Sequence, residues 1–126
     1  MSGKSAAQLV AEAKARIDNL TPDQVEAELK QGAVLIDVRE AAERAQAAIA
    51  GSLHIPRGLL EFQADPASPA HPAALDPHRR VILHCASGGR SALAAATLQQ
   101  LGYTNVAHLD GGMKAWLAAD KPVVKG

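Results

Sequence analysis

The sequence predicts a three-layer α/β/α domain in which helices cover both faces of a mostly parallel central sheet. Residues 33–38 and 80–84 are short runs of branched apolar residues, which suit strands that are buried on both faces. Stretches with helical periodicity separate these runs from each other and from a third strand at residues 105–109. Such alternation of strands and helices is typical of parallel α/β domains.

The N-terminal stretch, residues 5–20, has the pattern of an amphipathic helix. Ser5 is followed three residues later by Gln8, which is the spacing of a capping box. We expect residues 1–20 to form a helical extension that packs on the domain or contacts a second subunit, and residues 21–126 to form the domain itself.

A second helix begins sharply after the extension. Thr21 can cap it, Pro22 suits its first position, and Gln24 completes a second capping box. Gly32 favours its end. The remaining elements are predicted in the following order: a strand at 33–38, a helix at 40–50, a strand at 52–56, a helix at 57–64, a strand at 80–84, a helix at 91–101, a strand at 105–109 and a helix at 113–119.

Residues 65–77 form the least regular part of the sequence, because four of them are prolines. Prolines at this density exclude a regular helix or strand and indicate a long, stiff loop. Loops of this length in compact domains often serve as lids or binding walls. A plain surface crossover is an equally good interpretation.

Composition limits the classes of function. The chain has 126 residues, which suits one domain with its own hydrophobic core. Its 13 basic and 13 acidic residues cancel, and this argues against a nucleic-acid or membrane-surface partner recruited by bulk charge. A single cysteine excludes an intramolecular disulfide and suits a reducing compartment.

Hydropathy gives no sign of a membrane segment. No apolar run is as long as the roughly 18 residues that a transmembrane helix needs. Residues 1–14 also lack the apolar core of a signal peptide. We therefore expect a cytoplasmic protein.

The main candidate for a reactive residue is Cys85, which follows a predicted buried strand and precedes a predicted helix. Gly88 and Gly89 allow a tight turn that points backbone N–H groups inward, and Arg90 adds a permanent cation. An unperturbed thiol with a pKa of about 8.5 is only about 3% thiolate at pH 7. The loop N–H groups, the helix N-terminus and Arg90 together can stabilise the thiolate or a bound oxyanion.

Other charged residues also follow predicted strands, where ligands bind in parallel α/β folds. Asp37 and Arg39 lie at the end of the first strand, and Asp110 lies at the end of the last. A buried Asp37 needs a cationic partner, for which Arg39 and Arg90 are the candidates. No histidine or cysteine spacing indicates a metal site, and we predict neither a metal nor another cofactor.

Four segments resemble the single-domain rhodanese family of thiosulfate sulfurtransferase-like proteins, and they occur in the order of that family. They span about residues 21–122 and leave the first 20 residues unassigned. The segments are Leu35-Ile36-Asp37-Val38-Arg39-Glu40, Gly51-Ser52-Leu53-His54-Ile55-Pro56, Cys85-Ala86-Ser87-Gly88-Gly89-Arg90-Ser91 and Leu109-Asp110-Gly111-Gly112-Met113-Lys114-Ala115-Trp116.

The resemblance implies a rhodanese-like fold and a sulfurtransferase activity. Cys85 would take sulfane sulfur from a small anionic donor such as thiosulfate, become a persulfide, and pass the sulfur to cyanide or a thiol acceptor. Arg90 would share the catalytic role, and Asp37 would give structural support. Arg39 and Arg57 would bind the donor, although each could instead form only a surface ion pair. The substrate-binding loop would comprise Ala86, Ser87, Gly88, Gly89 and Ser91.

The length of this loop separates related activities. Four residues lie between Cys85 and Arg90. This is the rhodanese spacing, whereas related phosphatases and arsenate reductases have five residues there and room for a tetrahedral oxyanion. Sulfur transfer is therefore favoured over those reactions. A sulfur-carrier or protein-binding module without free turnover remains the main alternative.

Overall fold

The computed structural model describes residues 3–126 and contains a five-stranded sheet in which every pair of neighbouring strands is parallel. This confirms the predicted α/β class. The order across the sheet is β1-β5-β4-β2-β3. The strands are β1 (Asp18–Leu20), β2 (Val34–Asp37), β3 (Leu53–His54), β4 (Val81–His84) and β5 (Val106–Leu109).

Residues 3–126 contain six α-helices and one short 3-10 turn, and four of the helices, together with the turn, connect successive strands. Both predicted capping boxes form: Ser5 and Gln8 exchange two hydrogen bonds at the start of the first helix, and Thr21 and Gln24 do so at the second. The helices are α1 (Ala6–Lys14), α2 (Pro22–Lys30), α3 (Ala41–Gln46), α4 (Leu60–Ala64), α5 (Gly89–Gln100) and α6 (Gly112–Ala118), and the 3-10 turn is Arg57–Leu59.

Helices cover the sheet on both faces, and each face has its own apolar core. On one face, α1, α4 and α5 pack against β2 and β4, with Leu83 and Leu98 completely buried. On the other face, α2 and α6 pack against the same strands and β5, with Val25 and Trp116 buried. Successive residues of β4 therefore point into different cores, as expected for a strand buried on both faces.

The predicted helix at 5–20 is shorter than expected. It ends at Lys14, and residues 18–20 form the edge strand β1, which pairs with β5. The side-chain amide of Asn19 donates to the carbonyl oxygen of Lys14 at 2.9 Å, which competes with continuation of the helix. The extension at residues 1–20 stays a prediction as a separate unit, and its first two residues lie outside the described part of the chain.

The predicted helix at 40–50 is also shorter, because α3 ends at Gln46. Ala48 exchanges two backbone hydrogen bonds with Val124 in an antiparallel bridge. This pairing holds the chain extended and prevents further helix. Residues 65–77 contain turns but no helix or strand, in agreement with the proline pattern.

The N-terminus of α6 packs tightly against the backbone that follows β4. The N–H groups of Met113 and Lys114 donate to the carbonyl oxygens of Cys85 and Ala86, at 2.8 and 3.1 Å. Gly112, with a φ of +60°, precedes them in the chain, and a Cβ atom there would lie 2.5 Å from the Cys85 carbonyl oxygen. A residue without a side chain is therefore required at this contact.

Gly112→Ala should lower the free energy of unfolding by about 2 kcal/mol or more, because the added methyl group overlaps backbone atoms that cannot move independently. Urea denaturation followed by circular dichroism measures the change. Gly58→Ala is the control, since a Cβ atom at Gly58 meets nothing within 4 Å, and its effect should stay within about 1 kcal/mol. Equal effects of the two substitutions would contradict the packing argument.

Candidate active site

Cys85 lies directly after β4, at the carboxyl end of the central part of the sheet, and is 1% exposed. Its sulfur accepts hydrogen bonds from the backbone N–H groups of Gly88 and Ser91, at 3.2 and 3.3 Å. The Ser91 hydroxyl lies 3.5 Å from the same sulfur. The thiol is thus enclosed by neutral donors that are fixed in place before any ligand arrives.

The turn at Gly88 makes this enclosure possible. Gly88 has a φ of +108°, in the left-handed region that favours glycine, and α5 begins at the next residue. A Cβ atom at Gly88 would lie only 3.3 Å from the backbone nitrogen of Gly111. The tight turn therefore aims first-turn N–H groups of α5 at the sulfur, where they have no partner within the helix.

The electrostatics of the loop favour the thiolate. Burial alone raises the pKa of Cys85, but hydrogen bonds from the Ser91 hydroxyl and from the N–H groups of Ser91, Gly88 and Ser87 outweigh it and lower the pKa below its ordinary value. Neutral donors thus provide the main stabilisation of the thiolate.

Arg90 is the cation of the loop, and it forms a two-pronged ion pair with Glu43 of α3, with both N–O distances at 2.8 Å. The Arg90 hydrogen bond lowers the pKa of Glu43 to about 2, and Glu43 in turn raises the pKa of Arg90. Glu43 was not among the predicted site residues. Its contact with Arg90 joins positions 47 residues apart, so no local pattern in the sequence indicates it.

Asp37 pairs with Arg39, one of its two candidate partners, and not with Arg90. The Arg39 guanidinium bonds both carboxylate oxygens at 3.0 Å and donates a further bond to the carbonyl oxygen of Ala47 at 2.6 Å. Arg44 adds a second cation at 3.3 Å from Asp37. Burial raises the pKa of Asp37, but these bonds bring it below its usual value.

The two arginines expected to bind an anionic donor occupy different surroundings. Arg39 is only 4% exposed, and its donors are directed at protein acceptors, which indicates a structural role. Arg57 pairs with Glu61 at 2.9 Å and bonds the Thr97 hydroxyl at 3.1 Å, along the side of α5. Donor binding by either residue stays a prediction.

Two buried histidines flank the site on opposite sides of the sheet. His84 precedes Cys85 in the chain, and its ring nitrogens have no hydrogen-bond partner within residues 3–126. It lies 3.8 Å from the Asp37 carboxylate, and burial lowers its pKa to about 4. His108, on β5, lies on the Cys85 side, where its Nδ1 is 2.9 Å from the Ser91 hydroxyl oxygen.

Asp110 also lies at this end of the sheet, as its position after β5 predicts. Its carboxylate is 3.9 Å from the point where a Cβ atom of Gly88 would lie, and it pairs with Lys14 at 3.2 Å.

Within the described residues, no group of three or more His, Cys, Asp and Glu side chains is placed to hold a metal ion. None of the described helices is long and apolar enough to cross a membrane.

The fold and the loop together define a class of α/β protein in which a parallel strand delivers a cysteine into an amide-lined turn. The sequence model of the rhodanese-like domain family matches residues 21–119, which is most of the chain. The chain belongs to the rhodanese-like family, and several of the relatives that it matches are named sulfurtransferases.

Three individual proteins are similar to this chain over most of their own length. A sulfurtransferase of Allochromatium vinosum is 36% identical over 72% of this chain and 78% of its own length. The thiosulfate sulfurtransferase GlpE of Stutzerimonas stutzeri is 34% identical over 77% of this chain and 82% of its own. A solved structure from Rhodopseudomonas palustris, described as a protein of unknown function and possible tyrosine phosphatase, is 35% identical, with a TM-score of 0.90 over 98% of this chain and 97% of that one.

Ser91→Ala should raise the pKa of Cys85 by about one unit, because it removes a hydroxyl that bonds the sulfur. The rate of alkylation by iodoacetamide, measured against pH, gives the thiol pKa. Ser52→Ala is a matched control, since Ser52 is another buried serine whose hydroxyl donates to the Ile49 carbonyl oxygen, at the β3 side of the sheet. An unchanged thiol pKa in Ser91→Ala would show that the backbone donors act alone.

Glu43→Gln should lower the free energy of unfolding at neutral pH by about 1 kcal/mol, since solvent screens a pair whose side chains are 39% and 35% exposed. Folding lowers the pKa of Glu43 from 4.5 to about 2, so its contribution is complete above pH 4.5 and disappears as the pH falls towards 2. Urea denaturation of both proteins between pH 3 and 7 measures the difference.

The control for this prediction is the same substitution in an Arg90→Gln background, where the partner of Glu43 is absent. In that background, the change in the free energy of unfolding that Glu43→Gln causes should no longer vary over this pH range. A pH-dependent difference that persists without Arg90 would assign the low pKa of Glu43 to another cause.

Proposed function

We propose that this protein is a sulfurtransferase that moves sulfane sulfur from thiosulfate or a persulfide donor to a thiol or to cyanide, with Cys85 as the carrier. The observation that carries the proposal is the enclosure of the Cys85 sulfur by N–H groups of Gly88 and Ser91. The four-residue interval to Arg90 supports it, because the resulting loop is too short for the additional donors of a phosphate cradle.

The reaction has two halves. In the first, the Cys85 thiolate attacks the outer sulfur of thiosulfate, a new S–S bond forms, the old S–S bond breaks, and sulfite leaves with the electron pair. In the second, an acceptor nucleophile attacks the outer sulfur of the persulfide, and the Cys85 thiolate leaves. The sequence is a covalent two-step exchange that needs no external oxidant or reductant.

The loop provides the stabilisation for both halves. N–H groups between Ala86 and Ser91 would bind the negative charge of the persulfide after the thiolate has reacted. Arg90 would attract the anionic donor, and its pair with Glu43 holds the guanidinium in one orientation beside the loop. Asp37 acts through Arg39 to stabilise the backbone at the end of β2.

Two other functions remain as alternatives. A sulfur-carrier or protein-binding module would accept sulfur but would not turn over with a small acceptor. A phosphatase or arsenate reductase would use Cys85 as a nucleophile towards an oxyanion, and the description of the Rhodopseudomonas relative raises this case. The short loop argues against it, since its N–H groups already converge on one sulfur atom.

Incubation with thiosulfate should add the mass of one sulfur atom to the intact protein, as measured by mass spectrometry. Cyanide should remove this mass, because it attacks the outer sulfur of a persulfide. Cys85→Ser should not gain the mass. If wild-type protein gains no sulfur from thiosulfate, an alkyl persulfide or polysulfide, the proposal is wrong.

Turnover distinguishes the alternatives. Repeated release of thiocyanate from thiosulfate and cyanide supports the enzyme, whereas a single loading without release supports the carrier. Hydrolysis of a phosphate ester such as p-nitrophenyl phosphate, lost in Cys85→Ser, would instead support the phosphatase.

A further inference from the structure

A chain of hydrogen bonds leads from Cys85 to the edge of the sheet through three side chains. The Cys85 sulfur is 3.5 Å from the Ser91 hydroxyl oxygen, which is 2.9 Å from Nδ1 of His108. The other ring nitrogen, Nε2, is 2.8 Å from the side-chain oxygen of Asn19. Both Ser91 and His108 are completely buried, so these hydrogen bonds are shielded from bulk water.

Asn19 determines which nitrogen of His108 carries the proton. Its amide NH₂ group donates to the carbonyl oxygens of Lys14 and Ile17, at 2.9 and 3.2 Å. Only the nitrogen end of the amide can serve two carbonyl acceptors, so the oxygen end must face His108. An oxygen acceptor beside Nε2 requires a proton on Nε2, and neutral His108 therefore has a free lone pair on Nδ1.

This tautomer sets the direction of the Ser91 hydroxyl. Nδ1 of His108, at 2.9 Å, is the nearest acceptor for the single hydroxyl hydrogen; the Gly88 carbonyl oxygen lies at 3.3 Å. When the hydrogen points at Nδ1, a lone pair of the Ser91 oxygen is free for the Cys85 S–H group. Donors and acceptors are then aligned in one direction from sulfur to imidazole.

The surroundings of His108 keep it neutral at pH 7, so an imidazolium there depends on the negative charge of the Cys85 thiolate for its stability. Burial is the main cause that lowers its pKa, to about 4; Asp110 acts in the opposite direction and Lys14 in the same direction. These two charged residues come from the turn before α6 and from the end of α1, and they pair with each other. Towards β1 and α5, His108 meets the neutral side chains of Asn19 and Ser91, and beyond Ser91 lies the Cys85 thiol.

We propose that the thiol proton of Cys85 leaves through Ser91 to His108, which makes His108 the internal proton acceptor for the nucleophile. The S–H bond breaks as its proton passes to the Ser91 oxygen, and the original hydroxyl hydrogen passes to Nδ1. The products are a thiolate, an unchanged hydroxyl and an imidazolium that Asn19 stabilises through Nε2–H. Ser91 is then turned around and donates to the thiolate.

His108 acts through Ser91 and does not touch the sulfur, so it is a positioning residue. The inference rests on the proposed function of Cys85 as nucleophile. It also gives residues of the N-terminal segment a part in the site, since Asn19 belongs to β1 and its amide is oriented by the backbone of residues 14 and 17.

The first test is the pH dependence of Cys85 alkylation by iodoacetamide in His108→Gln, Ser91→Ala and the double variant. Glutamine places its amide near the former Nε2 and keeps a partner for Asn19, but it cannot accept a proton near neutral pH. Each single substitution should raise the thiol pKa by about one unit and slow alkylation at pH 7 by about tenfold. The double variant should show no further change, because both substitutions interrupt the same path.

His71→Gln is the matched control. His71 is a partly buried histidine whose ring nitrogens contact the carbonyl oxygens of Gln63 and Leu75, within and before the proline-rich loop. Its substitution should leave the thiol pKa unchanged. A lower thiol pKa in His108→Gln would overturn the proposal, since it would mean that His108 only withholds the Ser91 hydroxyl from the thiolate. The proposal would also be overturned if the two single substitutions had additive effects on the thiol pKa in the double variant, or if neither changed the thiol pKa.

The second test leaves Ser91 and His108 unchanged, so it does not depend on the folding of His108→Gln. Nitrogen-15 NMR of histidine rings distinguishes the Nε2–H tautomer from imidazolium. In wild-type protein, imidazolium at His108 should persist to a higher pH than in Cys85→Ala, because the thiolate stabilises it. Equal His108 titrations in the two proteins would overturn the relay. Persulfide loading is measured separately, so loss of the relay would leave the proposed function standing.

Discussion

The structure depends on the hydrogen bonds that neutral N–H groups direct at one buried sulfur. A thiolate in a protein interior carries a large desolvation cost, and here two backbone donors and one hydroxyl oppose it at 3.2 to 3.5 Å. Those donors work only if the backbone of the loop is held rigidly. The parallel sheet positions one end of the loop, α5 continues the other, and α6 supports it from behind through the Cys85 and Ala86 carbonyl oxygens.

The charged groups around this loop are kept separate from the sulfur by pairing among themselves. Arg90 is bound by Glu43, and Arg39 is bound by a completely buried Asp37. The buried Arg39–Asp37 pair adds little net stability, but loss of one partner leaves an uncompensated charge, whereas the Arg90–Glu43 pair is partly exposed and screened by solvent. The pairs therefore fix where positive charge lies at the end of the sheet, so an anionic donor of the proposed kind would meet charges that are already oriented.

Much of the fold could be predicted from interactions between residues close in the chain. The features that were not predicted depend on pairing between residues far apart in the chain. The capping boxes at Ser5 and Thr21 involve neighbours three residues apart, and the apolar runs of β2 and β4 are visible in a short window. The three-residue strand β1 has no such signal, because its pairing partner β5 lies far along the chain. The same holds for Glu43 beside Arg90, whereas the Cys85 loop is contiguous and could be read directly.

Asn19, on the edge strand β1, influences the surroundings of Cys85 near the middle of the sheet. The family match begins at residue 21, yet the tautomer of His108 is set two residues earlier, by an amide that also ends α1. One side chain thus stops a helix, starts an edge strand and orients an imidazole that contacts Ser91. An amide that served only to cap the helix would not need its oxygen within 2.8 Å of a buried histidine. The turn between α1 and β1 is therefore part of the thiol environment, since its carbonyl groups decide the polarity of every hydrogen bond between Asn19 and Cys85.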